Sequence, residues 1–305
     1  MKILLLHNPH AGDQEYTTAS LEKLMRHAGY DPRPATVKEI GENPGLLHYG
    51  EFVAVAGGDG SMRKAALGLV GSGQRLAPVP LGTANNFAHS VGVRGTPAEI
   101  VAGWSRGETR PIDMGRARGP WGEHWFLEGV GIGLIGRAMA IIKRIDDADG
   151  REFKQREDKL RRDLSVLVAL AHDIPAVPLR FSADGHETSG DFLLLEIMNV
   201  VRAGPGVNMA GGTDISDGRF DLVTARAGER DSLVRKLHAS LGDPEHAPIL
   251  TARQVRHVVL TIYGGEFRLD DEVILSRDET RRTGTSVEIT VVPRALNVLV
   301  PAPPA

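Results

Sequence analysis

The stretch FVAVAGGDGSMRKAALGL, residues 52–69, joins an apolar run to a helical pattern through a turn of three glycines and one aspartate. A glycine-rich turn between a strand and a helix lets backbone N–H groups face an anion, because no Cβ blocks its approach and the helix dipole adds positive charge. Asp59 in this turn is explained if a divalent cation bridges its carboxylate to phosphate groups. The stretch therefore predicts either a phosphate-binding turn or a plain turn that needs a positive φ angle.

The segments around this stretch repeat the same alternation of strand and helix. The runs KILLLHN, FVAVAGG and APVPLG are typical of buried strands, and residues 17–28 and 61–70 show helical patterns. Such alternation favours a parallel sheet with helices on both faces, in which ligands bind at the carboxyl ends of the strands. The turns NPHAG, GGDG and GTANN follow these strands, so we expect them to meet at one edge of the sheet.

After about residue 110 the pattern changes to short β-like runs separated by Gly, Asp and Asn turns, which indicates a mainly β second domain. The runs are HWFLEGVGIG, VPLRFSA, DFLLLEIMNV, GRFDLVTAR, VRHVVLTIY, GEFRLDDEVILS, SVEITVV and LNVLV. One amphipathic helical insertion, residues 137–173, interrupts them. It either lies against anionic lipid headgroups or packs on the β domain with a solvated charged face. Its cations are Lys143, Arg144, Lys154, Arg156, Lys159, Arg161 and Arg162.

The composition is that of a globular chain with room for two domains, since 41% of its 305 residues are hydrophobic and 25% are charged. A net charge of −3 gives no overall case for nucleic-acid binding. Cysteine is absent, which excludes disulfides and thiolate chemistry and fits a cytoplasmic protein. No apolar run approaches the roughly 18 residues of a membrane span, so we expect any membrane contact to be peripheral, at the inner surface.

Six short motifs, taken together and in order, carry a family resemblance. They are HNPHAG, GGDGS, PLGTANNFA, ISDGRFDLV, LDDEVI and VVPRALNVLVP. In this respect the chain resembles the diacylglycerol kinase catalytic-domain family, which includes bacterial lipid kinases and sphingosine kinases and shares its nucleotide half with NAD kinase and phosphofructokinase. The resemblance implies an α/β nucleotide-binding domain at residues 1–112 with about 295–305, a β-sandwich substrate and metal domain at 113–294, and an active site in the cleft between them.

The resemblance also implies which residues surround ATP. Loop amides and small hydroxyl groups suit a phosphate ligand. For Thr36, in PRPATVKE, a solvated residue at the end of a strand is an equally good explanation. The implied ATP-binding residues are Asn8, Pro9, His10, Ala11, Gly12, Thr36, Gly57, Gly58, Asp59, Gly60, Ser61, Met62, Arg63 and Thr83.

The motif LDDEVI resembles the Asp-Gly-Glu of the family, in which the glutamate is the general base. Glu272 would then take the proton of an acceptor hydroxyl as it attacks the γ-phosphoryl group, with Asp59 as the second catalytic residue and Mg²⁺ neutralising the transferred phosphate. The alternative is an exposed carboxylate in a turn.

The segment TDISDGRFDL matches the place where bacterial relatives bind a structural Mg²⁺. The resemblance implies Asp217 and Asp214 as ligands, together with the carbonyl oxygen of Arg219, and such hard oxygen ligands suit Mg²⁺ or Ca²⁺. The alternative is an Asp-Gly turn that opens a strand.

The chain departs from the family pattern at four of these positions. Arg63 and Lys64 stand where the family has Asn and Glu, Asn86 replaces an aspartate, and Asp271 replaces a glycine. The first three changes make the site less negative, which fits either a more anionic acceptor or weakened catalysis. A solvated first helical turn would also explain the two cations, although cations at a helix N-terminus are unfavourable by about 0.3 to 1 kcal/mol.

Three hypotheses follow. The first is an ATP-dependent lipid kinase that phosphorylates a hydroxyl of diacylglycerol or a related lipid. The second is a kinase of a soluble acceptor, in the manner of NAD kinase. The third is a non-catalytic protein that binds nucleotide or lipid. The expected partner is a lipid substrate and not nucleic acid, and a homodimer is left open.

Overall fold

The structure of the chain, a computed structural model, describes residues 1–149, 156–209, 211–241, 250–276, 279–280 and 284–303. The chain divides into two units. The first combines Met1–Asp113 with the C-terminal residues from Arg294 onward, and the second takes in most of the chain between Met114 and Pro293. At the point where the chain leaves and rejoins the first unit, the backbone amide of Arg294 donates a hydrogen bond of 2.8 Å to Asp113 Oδ1.

The first unit is built on a parallel sheet of apolar strands. Its order is β4-β3-β1-β2, and the end of the last strand of the chain lies parallel to β4. Every residue of the third strand is buried, as expected for a parallel sheet covered on both faces. The strands are β1 (Lys2–His7), β2 (Asp31–Ala35), β3 (Phe52–Gly57) and β4 (Arg75–Pro80).

The helices of this unit begin where the sequence supplies caps. Thr17, Thr36 and Thr96 each form a capping box, in which the threonine hydroxyl accepts from the third helical residue and that residue's side chain accepts in return. The third helix begins at Asp59, two residues earlier than predicted. The α-helices are α1 (Thr18–His27), α2 (Val37–Glu42), α3 (Asp59–Leu69), α4 (Asn86–Ser90) and α5 (Pro97–Gly103), and Pro44–His48 and Trp104–Arg106 form 3-10 turns.

The second unit is a mainly antiparallel β structure. Its main strand order is β16-β15-β7-β9-β8-β14-β17, and β12, which pairs with β13, joins it at β9. The strands are β5 (Glu108–Gly119), β6 (Gly122–Phe126), β7 (Gly129–Gly133), β8 (Val177–Ala183), β9 (His186–Met198), β10 (Arg202–Ala203), β11 (Val207–Asn208), β12 (Phe220–Arg226), β13 (Ala252–Val255), β14 (His257–Ile262), β15 (Phe267–Leu269), β16 (Glu272–Leu275) and β17 (Thr285–Val300).

Two expectations for this unit are wrong. SVEITVV and LNVLV form one continuous strand, β17, which passes Arg294 with a φ of 55°. A further helix outside the insertion, Arg230–Ser240, also interrupts the β runs. Leu233, Val234 and Leu237 bury one side of this otherwise polar segment. The α-helices are α6 (Leu134–Asp149), α7 (Arg156–Asp173) and α8 (Arg230–Ser240), and Ala227–Glu229 forms a 3-10 turn.

The strands bury side chains on both faces. One apolar cluster includes Phe126, Phe192, Phe220 and Phe267. The other lies under the helices, where Leu167 and Leu237 join residues of β9 and β12.

Two cations of the helical insertion form ion pairs within it. Lys159 and Arg162 of α7 both contact Asp146 of α6 and Asp163 of α7 in ion pairs. This arrangement favours the packed helix over a helix lying on lipid headgroups. Lys154 lies outside the described residues, as does the side chain of Arg156. Within the described part of the chain, no helix is long and apolar enough to cross a membrane.

Candidate active site

The turns after β1, β3 and β4 meet at the carboxyl edge of the parallel sheet. Asn8 N donates to Ala56 O, and Leu81 N donates to Gly57 O, both across 2.9 Å. The approach is so close that a Cβ on Gly12, where φ is 57°, would lie 2.0 Å from Leu81 O. The glycines in these turns are therefore needed to bring the three loops together.

The turn after β4 is closed by an asparagine side chain. Asn85 Oδ1 accepts a hydrogen bond of 2.9 Å from Gly82 N, and Asn85 Nδ2 donates one of 2.7 Å to Gly82 O. Asn85 is buried and has a φ of 51°, which asparagine tolerates better than most residues. A Cβ on Gly82 would lie 2.4 Å from Gly58 Cα. Sequence reasoning did not select Asn85, although GTANN marked the turn.

Asp59 stands in the first turn of α3, where a carboxylate is favoured by the helix dipole. Its Oδ1 accepts a hydrogen bond of 3.1 Å from Phe87 N in the first turn of α4. The carboxylate therefore fixes the start of one helix to the start of the other, at the edge where the loops meet.

The two cations that follow Asp59 have different surroundings. Lys64 is exposed, as expected for a solvated first helical turn, but Arg63 is 7% exposed. Arg63 lies one helical turn after Asp59 and so on the same face of α3. Asn86, at the start of α4, is also buried. Two of the departures from the family pattern are thus buried residues at this edge.

The remaining residues predicted to bind ATP are distributed around the same edge. Asn8 and the residues up to Gly12 form the loop after β1, in which His10 N donates to Asn8 Oδ1. Gly57 ends β3, the next residues lead into α3, and Thr83 lies half-buried in the loop after β4. Thr36 follows β2 and caps α2, with its hydroxyl bonded to Glu39. Its nucleotide role stays a prediction.

His7 ends β1, directly before this loop. Its Nδ1 lies 2.9 Å from Thr18 Oγ1 at the start of α1, and the side chain is buried. Burial lowers the pKa of His7 from its ordinary value of 6.5, because the charged imidazolium loses its water. The residue therefore helps to place α1 against the end of β1 in its neutral form.

Glu272, the predicted general base, lies in the second unit. It is the exposed first residue of β16 and pairs with Leu269 across a two-residue hairpin turn, Asp270 and Asp271. Asp270 has a φ of 50°, whereas Asp271 is outside the left-handed region. The aspartate at 271 is therefore compatible with the turn, although the family has glycine there.

The predicted metal ligands lie in the turn before β12. Asp214 Oδ1 accepts from Ser216, Asp217 Oδ1 accepts from Arg219 N across 2.8 Å, and Asp217 Oδ2 accepts from Gln254. Within the residues that the structure describes, no group of three or more His, Cys, Asp or Glu side chains is arranged to hold a metal. The predicted set of two carboxylates and one carbonyl oxygen stays a prediction.

A third carboxylate in this region was not selected from the sequence. Asp221 is 6% exposed within β12. Burial raises the pKa of Asp221 and the nearby carboxylate of Asp217 raises it further, while a hydrogen bond with Thr213 acts in the opposite direction. In the sequence, this site is indicated only by the position of a charged residue, Asp221, between Phe220 and Leu222 in an otherwise apolar strand.

Comparison with known proteins matches two parts of the chain to family models. The model of the Diacylglycerol kinase catalytic domain matches residues 2–117, and that of the YegS C-terminal NAD kinase beta sandwich-like domain matches residues 143–300. The chain belongs to the diacylglycerol kinase catalytic-domain family, and it carries the C-terminal domain of the YegS type. The predicted fold class, an α/β domain with a parallel sheet followed by a β-sandwich-like domain, is confirmed.

Individual relatives agree with this assignment. The chain is 29% identical over 230 residues to a protein of Pseudomonas aeruginosa strain PAO1 named "Probable lipid kinase YegS-like", covering 72% of this chain and 70% of that protein. It is 29% identical over 192 residues to the diacylglycerol kinase of Mycobacterium tuberculosis strain H37Rv, covering 61% of this chain and 58% of that protein. A crystal structure of a diacylglycerol kinase from Bacillus anthracis strain Sterne superposes with a TM-score of 0.66 at 17% identity, covering 98% and 96%, which shows the shared fold.

Proposed function

We propose that this protein is an ATP-dependent lipid kinase that transfers the γ-phosphoryl group to a hydroxyl of diacylglycerol or a related lipid. The observation that carries the proposal is the meeting of three glycine-dependent loops around Asp59, in a chain whose named relatives are lipid kinases. Family membership supports the kinase class, and the donor and the acceptor are the finer parts of the proposal.

The first unit is assigned to the nucleotide. In this proposal, the loops Asn8–Gly12 and Gly57–Ser61 bind the phosphates through backbone amides, and the N-terminus of α3 adds its dipole. Asp59 fits a Mg²⁺ ligand because it is an oxygen donor at this edge, held in place by its bond to Phe87 N. Bound Mg²⁺ would supply neutralisation of the phosphate charge.

The hairpin of the second unit is assigned to the acceptor. In the proposed step, Glu272 takes the proton of the acceptor hydroxyl while the oxygen forms its bond to the γ-phosphorus. The bond from that phosphorus to the bridging oxygen breaks, and ADP leaves with the electron pair. General-base assistance of this kind contributes about 10²- to 10⁴-fold. The exposure of Glu272 supports this role, since the carboxylate is accessible to a substrate.

A structural Mg²⁺ is proposed for the turn before β12. Asp214, Asp217 and the carbonyl oxygen of Arg219 would hold it, and this donor set is one that Mg²⁺ prefers. Burial is the main cause of the raised pKa of Asp221, and the nearby carboxylate of Asp217 raises this pKa further. A cation held by Asp217 would offset that second contribution, which is consistent with the proposal.

A specific observation favours two other candidates. Arg63 and Asn86 are buried at the nucleotide edge, where the family has an amide and a carboxylate. A site with less negative charge suits either a more anionic acceptor, including a soluble one, or a protein that binds nucleotide without transferring phosphate. Both candidates keep the proposed ATP site. The first differs from the lipid kinase in its acceptor, and the second transfers no phosphate.

The experiment is a transfer assay with ATP labelled in the γ-phosphate, Mg²⁺, and a panel of lipid acceptors in micelles and soluble acceptors that includes NAD. We expect a labelled lipid, with diacylglycerol among the substrates. Label on NAD alone would replace the lipid acceptor by a soluble one. Binding of ATP without label on any acceptor would favour the non-catalytic alternative.

A further inference from the structure

The hairpin turn that presents Glu272 is held in an unusual backbone conformation. Asp270, its first residue, has a φ of 50°, in the left-handed region that L-residues other than Asn and Asp seldom adopt. Asp270 is also 3% exposed, although the neighbouring Asp271 and Glu272 are exposed. A carboxylate buried at such a point needs hydrogen-bond donors to replace water.

Those donors come from the backbone that leads into β7. Leu127 N donates to Asp270 Oδ2 across 2.9 Å, and Glu128 N and Gly129 N donate to Oδ1 across 2.7 and 3.1 Å. In return, Asp270 N donates to Gly129 O across 2.8 Å. Bonds to an ionised acceptor are about twice as strong as neutral ones. The Asp270 carboxylate therefore fastens the turn to a neighbouring strand.

A second set of contacts holds the backbone of the same residue. Arg268 Nη1 donates to Asp270 O across 2.9 Å, and the guanidinium of Arg268 forms a buried ion pair with Glu196 of β9. Strand β7 lies between β15, which carries Arg268, and β9, which carries Glu196. It leaves space for this ion pair because residue 131 is glycine, and a Cβ there would lie 2.0 Å from Glu196 Oε2. The side chain of Asp270 is thus held by the backbone at the start of β7, and its carbonyl group is held by Arg268 of β15, which is itself paired with β9.

We propose that Asp270 is a positioning residue for Glu272, with Arg268 as its support. The inference rests on the proposed function of Glu272 as general base. Glu272 is two residues from Asp270 on a short edge hairpin, so its direction depends on the turn. A displacement of about 1 Å in a reacting group costs about 10²-fold in rate, and the anchored turn prevents it.

The alternative is that Asp270 only stabilises the fold, and the chain offers a matched control. Asp184 is also the first residue of a two-residue hairpin turn, between β8 and β9, with a φ of 48°. Its carboxylate accepts from Arg256 N and His257 N across 3.1 and 2.9 Å, and its own amide donates to His257 O. No residue assigned to the reaction lies in that turn.

The first test compares Asp270→Asn with Asp184→Asn in the lipid-phosphorylation assay. We expect Asp270→Asn to lower kcat by about 10- to 100-fold while the KM for ATP changes by less than about threefold. Asp184→Asn should leave kcat within about twofold of the wild type. An unchanged kcat in Asp270→Asn, or equal losses in the two variants, would overturn the proposal.

The second test does not need activity, and its outcome is decided by Arg268→Lys and Asp184→Asn rather than by Asp270→Asn. Hydrogen exchange of the amides between Leu269 and Leu275 is compared in the wild type, Asp270→Asn, Asp184→Asn and Arg268→Lys. Lysine keeps the charge opposite Glu196 but lacks the second arm that reaches Asp270 O. Faster exchange in Arg268→Lys, and not in Asp184→Asn, supports the proposal, and unchanged exchange contradicts it. A wild type without transfer would refute the proposed function, and exchange would still decide the role of Asp270 in the turn.

Discussion

The carboxylate of Asp59 accepts a hydrogen bond of 3.1 Å from the backbone amide of Phe87, which joins the first turns of α3 and α4. The same carboxylate is our proposed Mg²⁺ ligand. In this proposal, the charge of Asp59 binds Mg²⁺ and its Oδ1 accepts the hydrogen bond from Phe87 N. Two substitutions separate these roles.

Asp59→Asn keeps an oxygen for Phe87 N but removes the charge, whereas Asp59→Ala removes both. We expect Asp59→Asn to lose at least about 100-fold in phosphate transfer with little change in Tm. Asp59→Ala should lose transfer and, in addition, about 1 to 3 kcal/mol of unfolding free energy. Transfer at the wild-type rate by Asp59→Asn would contradict the charge assignment.

Glu272→Gln tests the proposed general base with an isosteric change. The residue is exposed, so we expect little effect on stability, a fall in kcat of about 10²- to 10⁴-fold, and an unchanged Kd for ATP. Single-turnover kinetics and calorimetric titration with ATP measure the two quantities. Comparable turnover by Glu272→Gln would exclude this residue as the base.

Gly82→Ala tests the close approach of the loops. The new Cβ would lie 2.4 Å from Gly58 Cα and 2.9 Å from Asn85 Oδ1. We expect a loss of about 1 to 3 kcal/mol in unfolding free energy together with weaker ATP binding. Gly41→Ala is the control, because a Cβ there has no atom within 4 Å and alanine favours helix α2. Normal ATP binding by Gly82→Ala would show that the loops do not need this contact.

The buried histidine at the end of β1 predicts a pH dependence of stability. The pKa of His7 is lowered below 6.5 in the folded state, so the unfolded chain binds the proton more readily. The contribution of neutral His7 is fully present above pH 6.5 and is lost as the pH falls from there toward the folded-state pKa. Urea unfolding between pH 7.5 and pH 5 should therefore show a shallower loss for His7→Gln than for the wild type. Parallel curves would refute the assignment.

Magnesium without nucleotide tests the site before β12. A ligand that binds only the folded state adds about 2.7 kcal/mol at 100 times its Kd, so the Tm of the wild type should rise with added Mg²⁺. Asp217→Asn should reduce this rise, while Asp231→Asn, which changes an exposed aspartate of α8, should not. An equal rise in the wild type and Asp217→Asn would remove Asp217 from the ligand set.

Much of the first unit could be predicted from local patterns. Apolar runs followed by Gly, Asn and Asp turns indicated a parallel sheet, and the turns do meet at its carboxyl edge. The second unit was harder to predict, because the local sequence pattern of some of its elements differs from the structure that they form. Helix α8 is polar apart from a narrow buried side, so its sequence does not show a clear helical pattern. The sequence predicts two strands on either side of Arg294, whereas β17 is continuous there, and the positive φ of Arg294 is stabilised by Asp113.

The parts of the candidate site that sequence reasoning missed depend on distant contacts. The carboxylate of Asp270 meets the amide of Leu127 across 143 positions of the chain, and no local pattern shows that partner. Asn85 could be placed in a turn but not recognised as the group that closes it. Arg63 follows a polar turn at the start of a helix, where the sequence is compatible with a solvated side chain. Only the structure shows that Arg63 is buried.

The hydrogen bond from Arg294 N to Asp113 joins residues 181 positions apart, at the two points where the chain leaves and rejoins the first unit. The second unit is therefore an insertion whose two ends are tied side by side. The entropy of closing such a long loop changes by only about 0.6 kcal/mol for each doubling of its length. Lengthening or shortening the inserted segment would therefore change the closure entropy very little, so the first unit can keep its fold while the length of the second unit varies.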